Sequence, residues 1–190
     1  MKLLTFFLLL LACPMLNAQT HIRDIYAAAP DSIFPLLTKN NRRDQIDFRE
    51  NNMQAIVKNR FDDHSELLVL NDKYLRLRLS ERCIVEMRLL PDSTFCMVQT
   101  YSAPAPDSHI RFFNSTWQQL SRTMEKPAVE NFLSEDIDTD IRLALQALPL
   151  IKASLSENDD SITFELQIAE LTREQRQKAE GKTHPVVQEL

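Results

Sequence analysis

From residue 53 onward, apolar and polar positions alternate, the period of strands half-buried in a sheet. The run SELLVLNDKYLRLRLSERCIVEMRLLPDSTFCMVQTY reads as a four-strand antiparallel meander, preceded by a first strand in QAIVKNRF. A turn at Asp72-Lys73 sets Leu70 opposite Leu75 and Leu68 opposite Leu77. A turn at Ser80-Glu81-Arg82 sets Leu79 opposite Cys83, Leu77 opposite Val85 and Leu75 opposite Met87. A turn at Asp92-Ser93 sets Leu89 opposite Cys96 and Met87 opposite Val98. One face then becomes apolar. The other carries Arg76, Arg78, Glu86, Arg88 and Gln99 as a solvated surface, with Arg76 facing Glu86.

Helical spacing brackets this sheet. Ile22, Ile25, Tyr26 and Ala29 recur before Pro30, and Asp31-Ser32 offers a cap for a further turn carrying Ile33, Phe34, Leu36 and Leu37. The polar run 39–43 separates this from residues 44–48. After the prolines of SAPAPDS, SHIRFFNSTW resumes as a strand, and PAVENFL is a short helical stretch. Asp138 or Thr139 caps a helix in DIRLALQALP that stops before Pro149. A second hairpin, IKASLSENDDSITFELQIAEL, pairs Leu155 with Ile162, Ala153 with Phe164 and Ile151 with Leu166. The helix TREQRQKAE closes the chain, with Gly181 where a left-handed residue ends a helix. The fold class expected is α+β: a largely antiparallel sheet, built as a β-meander plus a second hairpin, packed against N-terminal and C-terminal helices.

Composition removes several chemistries. The 190 residues hold one glycine, so a phosphate-cradling loop, a dinucleotide fingerprint and a G-x-S-x-G elbow are excluded. A net charge of −5 without long single-sign blocks argues against nucleic-acid binding. MKLLTFFLLLLACPMLNAQT reads as a secretory signal over residues 1–18, too short in its apolar core to span a bilayer. Residues 19–190 then form a single α+β domain, with a division into two halves left open near residues 120–135. Two cleavages compete: after Ala18, or a lipobox at Leu10-Leu11-Ala12-Cys13. The apolar Pro14-Met15-Leu16 after Cys13 favours soluble export to the periplasm or beyond over lipid anchoring.

Candidate sites are sparse. If residues 43–50 are helical, Asp44 and Asp47 share a face with Glu50 one step along, and paired carboxylates can divide acid and base roles. Arg42, Arg43 and Arg49 supply counter-charge, which favours a surface cluster of Arg43, Asp44 and Asp47 in capping or salt-bridging roles. The run Phe61-Asp62-Asp63-His64 has the look of a solvated turn rather than a metal site, since adjacent side chains rarely converge on one ion. Phe112, Phe113 and Trp117 with Tyr101 form either a core or an aromatic binding surface; in a strand, at most one of the two phenylalanines joins the core. Cys83 and Cys96, six positions apart along the expected register, share a face without reaching each other, so both are free thiols. No catalytic residue, metal ligand or cofactor is assigned.

The stretches APDSIFPLLTKNNRRDQIDF (29–48), NDKYLRLRLS (71–80) and VEMRLLPDS (85–93), with the closing hairpin and helix, resemble Domain of Unknown Function 3256, a family of exported Bacteroidales proteins. The resemblance implies a Gram-negative envelope protein with no established activity, and it brings no catalytic residues. The reading is of a non-enzymatic binding or accessory module whose partner is a protein or ligand of the envelope. The alternatives are a hydrolase with a dispersed active site and a purely structural component. Mass spectrometry of the native N-terminus is expected to find a chain beginning at Gln19; a diacylated Cys13 would reverse the choice.

Overall fold

The computed structural model describes residues 20–190; the leader, its cleavage sites and Cys13 lie outside the described residues. Two helices come first, α1 (Ile22–Ala27) and α2 (Lys39–Glu50). Six strands follow: β1 (Ile56–Lys58), β2 (His64–Leu70), β3 (Tyr74–Ser80), β4 (Cys83–Leu89), β5 (Thr94–Ser102) and β6 (Pro106–Asn114). They form one antiparallel sheet in sequential order. A 3₁₀ turn (Val129–Phe132), α3 (Thr139–Ala147), β7 (Ile151–Leu155), β8 (Ser161–Leu166), α4 (Arg173–Ala179) and β9 (Val186–Glu189) complete the chain, with β7-β8-β9 as a second antiparallel sheet. The α+β class and the antiparallel meander are as the alternation predicts.

The helices start where side chains can satisfy their first amides. Thr38 and Asn41 form a capping box, the Asn41 amide donating to Thr38 Oγ1 at 3.1 Å, so the polar run 39–43 is the first turn of α2 rather than a spacer. Residues 31–36 form turns that are not helical. Arg42, 1% exposed, holds them by donating to Asp31 Oδ1 and to the carbonyls of Leu37 and Ala29. Thr172 and Gln175 cap α4 in the same way, and Gly181 follows at φ 74°. The first strand is shorter than QAIVKNRF suggests, and β9 is a strand that the closing helix reading lacks.

Part of the expected register holds: Leu70–Leu75, Leu77–Val85, Leu75–Met87, Arg76–Glu86 and all three pairs of the second hairpin. Three shifts correct the rest. Irregularities at Leu68 and Leu79 pair Leu67 with Leu77 and Ser80 with Cys83. Between β4 and β5, the turn closed by Leu90 and Thr94 encloses three residues, 91–93, rather than two. Leu90 and Thr94 close it at 2.8 Å, Ser93 takes φ 63°, and Asp92 Oδ1 accepts from the Thr94 amide at 3.0 Å. Leu89 therefore pairs with Phe95 and Met87 with Met97.

A one-residue slip turns every β5 side chain over. Phe95, Met97 and Gln99 join Cys83, Val85 and Met87 on one face; Cys96, Val98 and Thr100 join Glu86 and Arg88 on the other. Both faces are buried. The first packs under α1 and α2, with Ile22, Ile25, Tyr26, Phe34, Leu37 and Ile46. The second, expected to be solvated, carries Val129, Phe132, Ile141, Ile151, Phe164 and the rest of the C-terminal layer. Arg76 and Arg78 stay part-exposed, but Glu86 and Arg88 are each 5% exposed. Phe112 and Phe113 are both buried, one in each core.

The C-terminal layer is docked by polar groups at the free edge of β7. The Ile151 amide donates to Asp107 Oδ1 at 3.0 Å, that of Ala153 to Ser108 Oγ at 2.8 Å and that of Leu155 to Glu86 Oε2 at 3.4 Å. Arg88 adds a 2.9 Å ion pair to Asp160 and a 3.0 Å bond to the Glu157 carbonyl in the β7–β8 turn. The Tyr74 hydroxyl donates to Glu86 Oε1 at 2.7 Å, and Arg76 lies 3.8 Å from the same oxygen.

Burial raises the Glu86 carboxyl above its ordinary 4.5, outweighing these favourable partners. A folded value above the unfolded one means the folded state binds more protons, so this group's contribution to stability falls as pH rises from about 4.5 through the raised value. Glu86→Gln removes that titration but faces an amide donor toward the Leu155 N–H. The variant is expected to lose about 1–3 kcal/mol near pH 4.5, with the deficit narrowing toward pH 7, as read from urea midpoints. A constant deficit across this range would contradict the assignment.

Candidate functional site

The sequence-expected cluster sits on the N-terminal layer. Arg43, Asp44 and Asp47 are all exposed on α2. Arg43 and Asp47 line a shallow groove of about 350 Å³ with Arg23, Asp24, Ala27, Ile46 and Glu50, whereas Asp44 is not among its lining residues. Arg23 spans from α1 to Glu50 at 2.7 Å and separates this groove from a neighbouring one of about 210 Å³, in which His21 lies 3.6 Å from Asp72. Shared acid–base work needs two carboxyl groups in unlike environments, whereas Asp44 and Asp47 are both exposed on one helix. The ion pairs at this surface are those of Arg23 with Asp24 and Glu50; none joins Arg43, Asp44 and Asp47 among the described residues.

The expected aromatic surface is divided by the fold. Trp117, at φ 67°, is turned inward and donates its indole N–H to the Ile25 carbonyl at 2.8 Å. Its ring packs against Phe34, Phe95 and Phe113 at centroid distances of 5.8, 4.9 and 5.5 Å. Trp117 and both phenylalanines are therefore core, and Tyr101 alone of the set is exposed, at 49%.

Tyr101 marks a different site. At the end of the large sheet where β3 turns into β4, the N-terminal layer leaves a groove of about 250 Å³. It is lined by Pro35, Leu36, Leu79, Cys83, Gln99 and Tyr101, with Ser80 and Arg82 at its margin. The bulge at Leu79 and the turns before Thr38 create it. Register correction places Gln99 and Tyr101 on this face, opposite Val85 and Cys83. Gln99 donates to Cys83 Sγ at 3.6 Å and accepts from Arg111 at 3.0 Å. Phe61, 78% exposed, stands at the same end of the sheet, next to Arg60, whose amide donates to the Leu36 carbonyl at 3.0 Å.

Of these residues, sequence reasoning singled out Tyr101, Cys83 as an inert thiol and Phe61 as part of a solvated turn, and it placed Gln99 on the solvated face. Pro35, Leu36 and Leu79 look like ordinary apolar positions, and nothing local signals that the covering layer ends short of them. Among the described residues, no group of three or more His, Cys, Asp or Glu side chains is placed to hold a metal ion. Burial raises the Cys83 thiol, against a smaller lowering by Gln99, which keeps it protonated and weakly nucleophilic.

The family model for a protein of unknown function, DUF3256, matches residues 14–186. The chain belongs to this family. It is also similar to the structure of a domain of an uncharacterized protein from Porphyromonas gingivalis W83. The TM-score is 0.72 at 25% identity, over 88% of this chain and 92% of that one. No curated protein matches the chain. The DUF3256 match spans both sheets as far as the first residue of β9, and every groove residue lies inside it.

Cys83 and Cys96 are both free and lie on opposite faces of the sheet rather than on a shared one. Their ladder positions differ by five residues, about 17 Å at about 3.4 Å each. Cys96 is fully buried and its thiol is pushed up to about 12 by desolvation. A chain begun at Gln19 is expected to titrate two thiols in denaturant without reductant. In the native state, iodoacetamide should label Cys83 at the groove before Cys96; the reverse order, or no thiol before reduction, would contradict the register.

Proposed function

We propose that this DUF3256 protein is an exported, non-enzymatic binding or accessory module of the cell envelope, and that it engages its partner at the Leu36–Tyr101 groove. The observation that carries the reading is an open apolar groove with the half-exposed Tyr101 in its wall, at the end of the sheet that also bears the exposed Phe61. Exposed apolar side chains gathered around a concavity are the usual mark of an interaction site, whereas scattered single ones need no explanation. The signal-like leader supports export.

The test is affinity capture from envelope fractions with the native chain and with Tyr101→Glu, both checked for folding by circular dichroism. Tyr101 is half exposed, so the substitution is expected to leave stability within about 0.5 kcal/mol. A partner retained by the native chain and lost by the variant supports the reading. Equal retention by both removes the groove, and turnover of ester, peptide or glycoside substrates by the purified chain would establish the hydrolase alternative instead.

A further inference from the structure

We infer that the groove seats an extended peptide segment of a partner protein, through one aromatic or aliphatic side chain with a carboxylate beside it. The inference rests on the binding reading above and narrows it to a ligand class. Size is the first argument. Pockets for small molecules and cofactors run to about 300–1,000 Å³, and this groove, at about 250 Å³, suits a single large side chain. Its walls of Pro35, Leu36, Leu79 and Cys83 offer dispersion contacts, while the amide of Gln99 and the hydroxyl of Tyr101 lie at reach of a peptide backbone.

Charge supplies the second argument. Most arginines of the large sheet and its covering helices are committed. Arg23 pairs with Glu50, Arg42 and Arg60 with Asp31, Arg78 with Glu66 and Arg88 with Asp160. Arg43 and Arg49 of α2, the latter donating to the Leu68 carbonyl, are in no ion pair among the described residues, and neither are the two nearest the groove. Among the described residues, Arg82, which lines it, is in no ion pair, and neighbouring Glu81 does not bridge to it. Arg111 holds the Gln99 amide oxygen and lies over the Phe113 ring, 5.5 Å from its centroid, again with no carboxylate. Two unpaired guanidinium groups beside an apolar cleft are complementary to an acidic residue next to an apolar one.

The test is an NMR titration of isotope-labelled residues 19–190 with three synthetic peptides: acetyl-Ala-Phe-Glu-Ala-amide, acetyl-Ala-Phe-Lys-Ala-amide and acetyl-Ala-Ser-Glu-Ala-amide. The Phe-Glu peptide is expected to shift the amides of Leu36, Leu79, Cys83, Gln99 and Tyr101. It should bind about two- to fivefold more tightly than the Phe-Lys peptide, the scale of exposed ion pairs. Arg82→Gln should reduce that preference, weakening Phe-Glu binding and relieving the repulsion of the Phe-Lys peptide, and the Ser-Glu peptide should shift nothing in the groove. Equal affinity for the Phe-Glu and Phe-Lys peptides overturns the acidic ligand class and leaves the groove as a binding site. Silence of the groove with every peptide overturns both readings. Groove shifts that follow protein concentration alone identify a second copy as the occupant and overturn the partner peptide.

Discussion

The free edge of β7 is the constraint around which the two halves of the chain are organised. A strand laid against the face of another sheet carries outward amides into a place water cannot serve, and each left unsatisfied costs about 1–3 kcal/mol. Asp107, Ser108 and Glu86, on β6 and β4, supply the acceptors. Apolar contact alone would hold the layers together without fixing their register. These three bonds, with the Arg88 clamp on the β7–β8 turn, fix it. The large sheet thereby gains a cover on the face opposite its helices, and its middle strands become interior on both sides.

The edges of that sheet are managed as well. Strand β6 is shielded by the chain that follows it: Leu120 donates to the Phe112 carbonyl at 2.9 Å, Arg122 lies over the Phe112 ring, and Lys126 reaches Asp107 at 2.6 Å. At the other edge β1 has three residues, and Asn41 from α2 reaches its Lys58 carbonyl. Short or covered edges deny neighbouring molecules a strand to pair with. Side-chain recognition at the sheet's end is then the more accessible mode of contact, which is where the Leu36–Tyr101 groove opens.

Element types were largely legible because alternation and caps are local. The second hairpin was legible to the residue: Asn158 and Asp159 leave one turn that keeps Ala153 and Phe164 inward. The β4–β5 register was not. Leu89-Leu90 and Phe95-Cys96-Met97-Val98 are continuous apolar runs, so a slip by one residue still buries apolar side chains on the chosen face. The runs themselves signalled burial on both sides, a signal masked by Glu86 and Arg88, whose charges look solvent-facing until Tyr74, Leu155 and Asp160 are brought to them. The groove was illegible for a different reason. It depends on where a covering layer stops, which is a property of the assembled layers and not of any one segment.

The order of assembly follows from the same layering. Helices α1 and α2 and all six strands of the large sheet are complete by Asn114, but the face bearing Cys96, Val98 and Phe112 is covered by residues from Leu120 onward, most of them from Val129 onward. A chain emerging N-terminus first, from a ribosome or through a membrane pore, therefore passes through a stage in which a finished sheet displays one bare apolar side. At synthesis rates of about 5–20 residues per second that stage lasts several seconds. Its safe passage calls for a chaperone surface or for docking of the last third of the chain faster than two half-made molecules can meet.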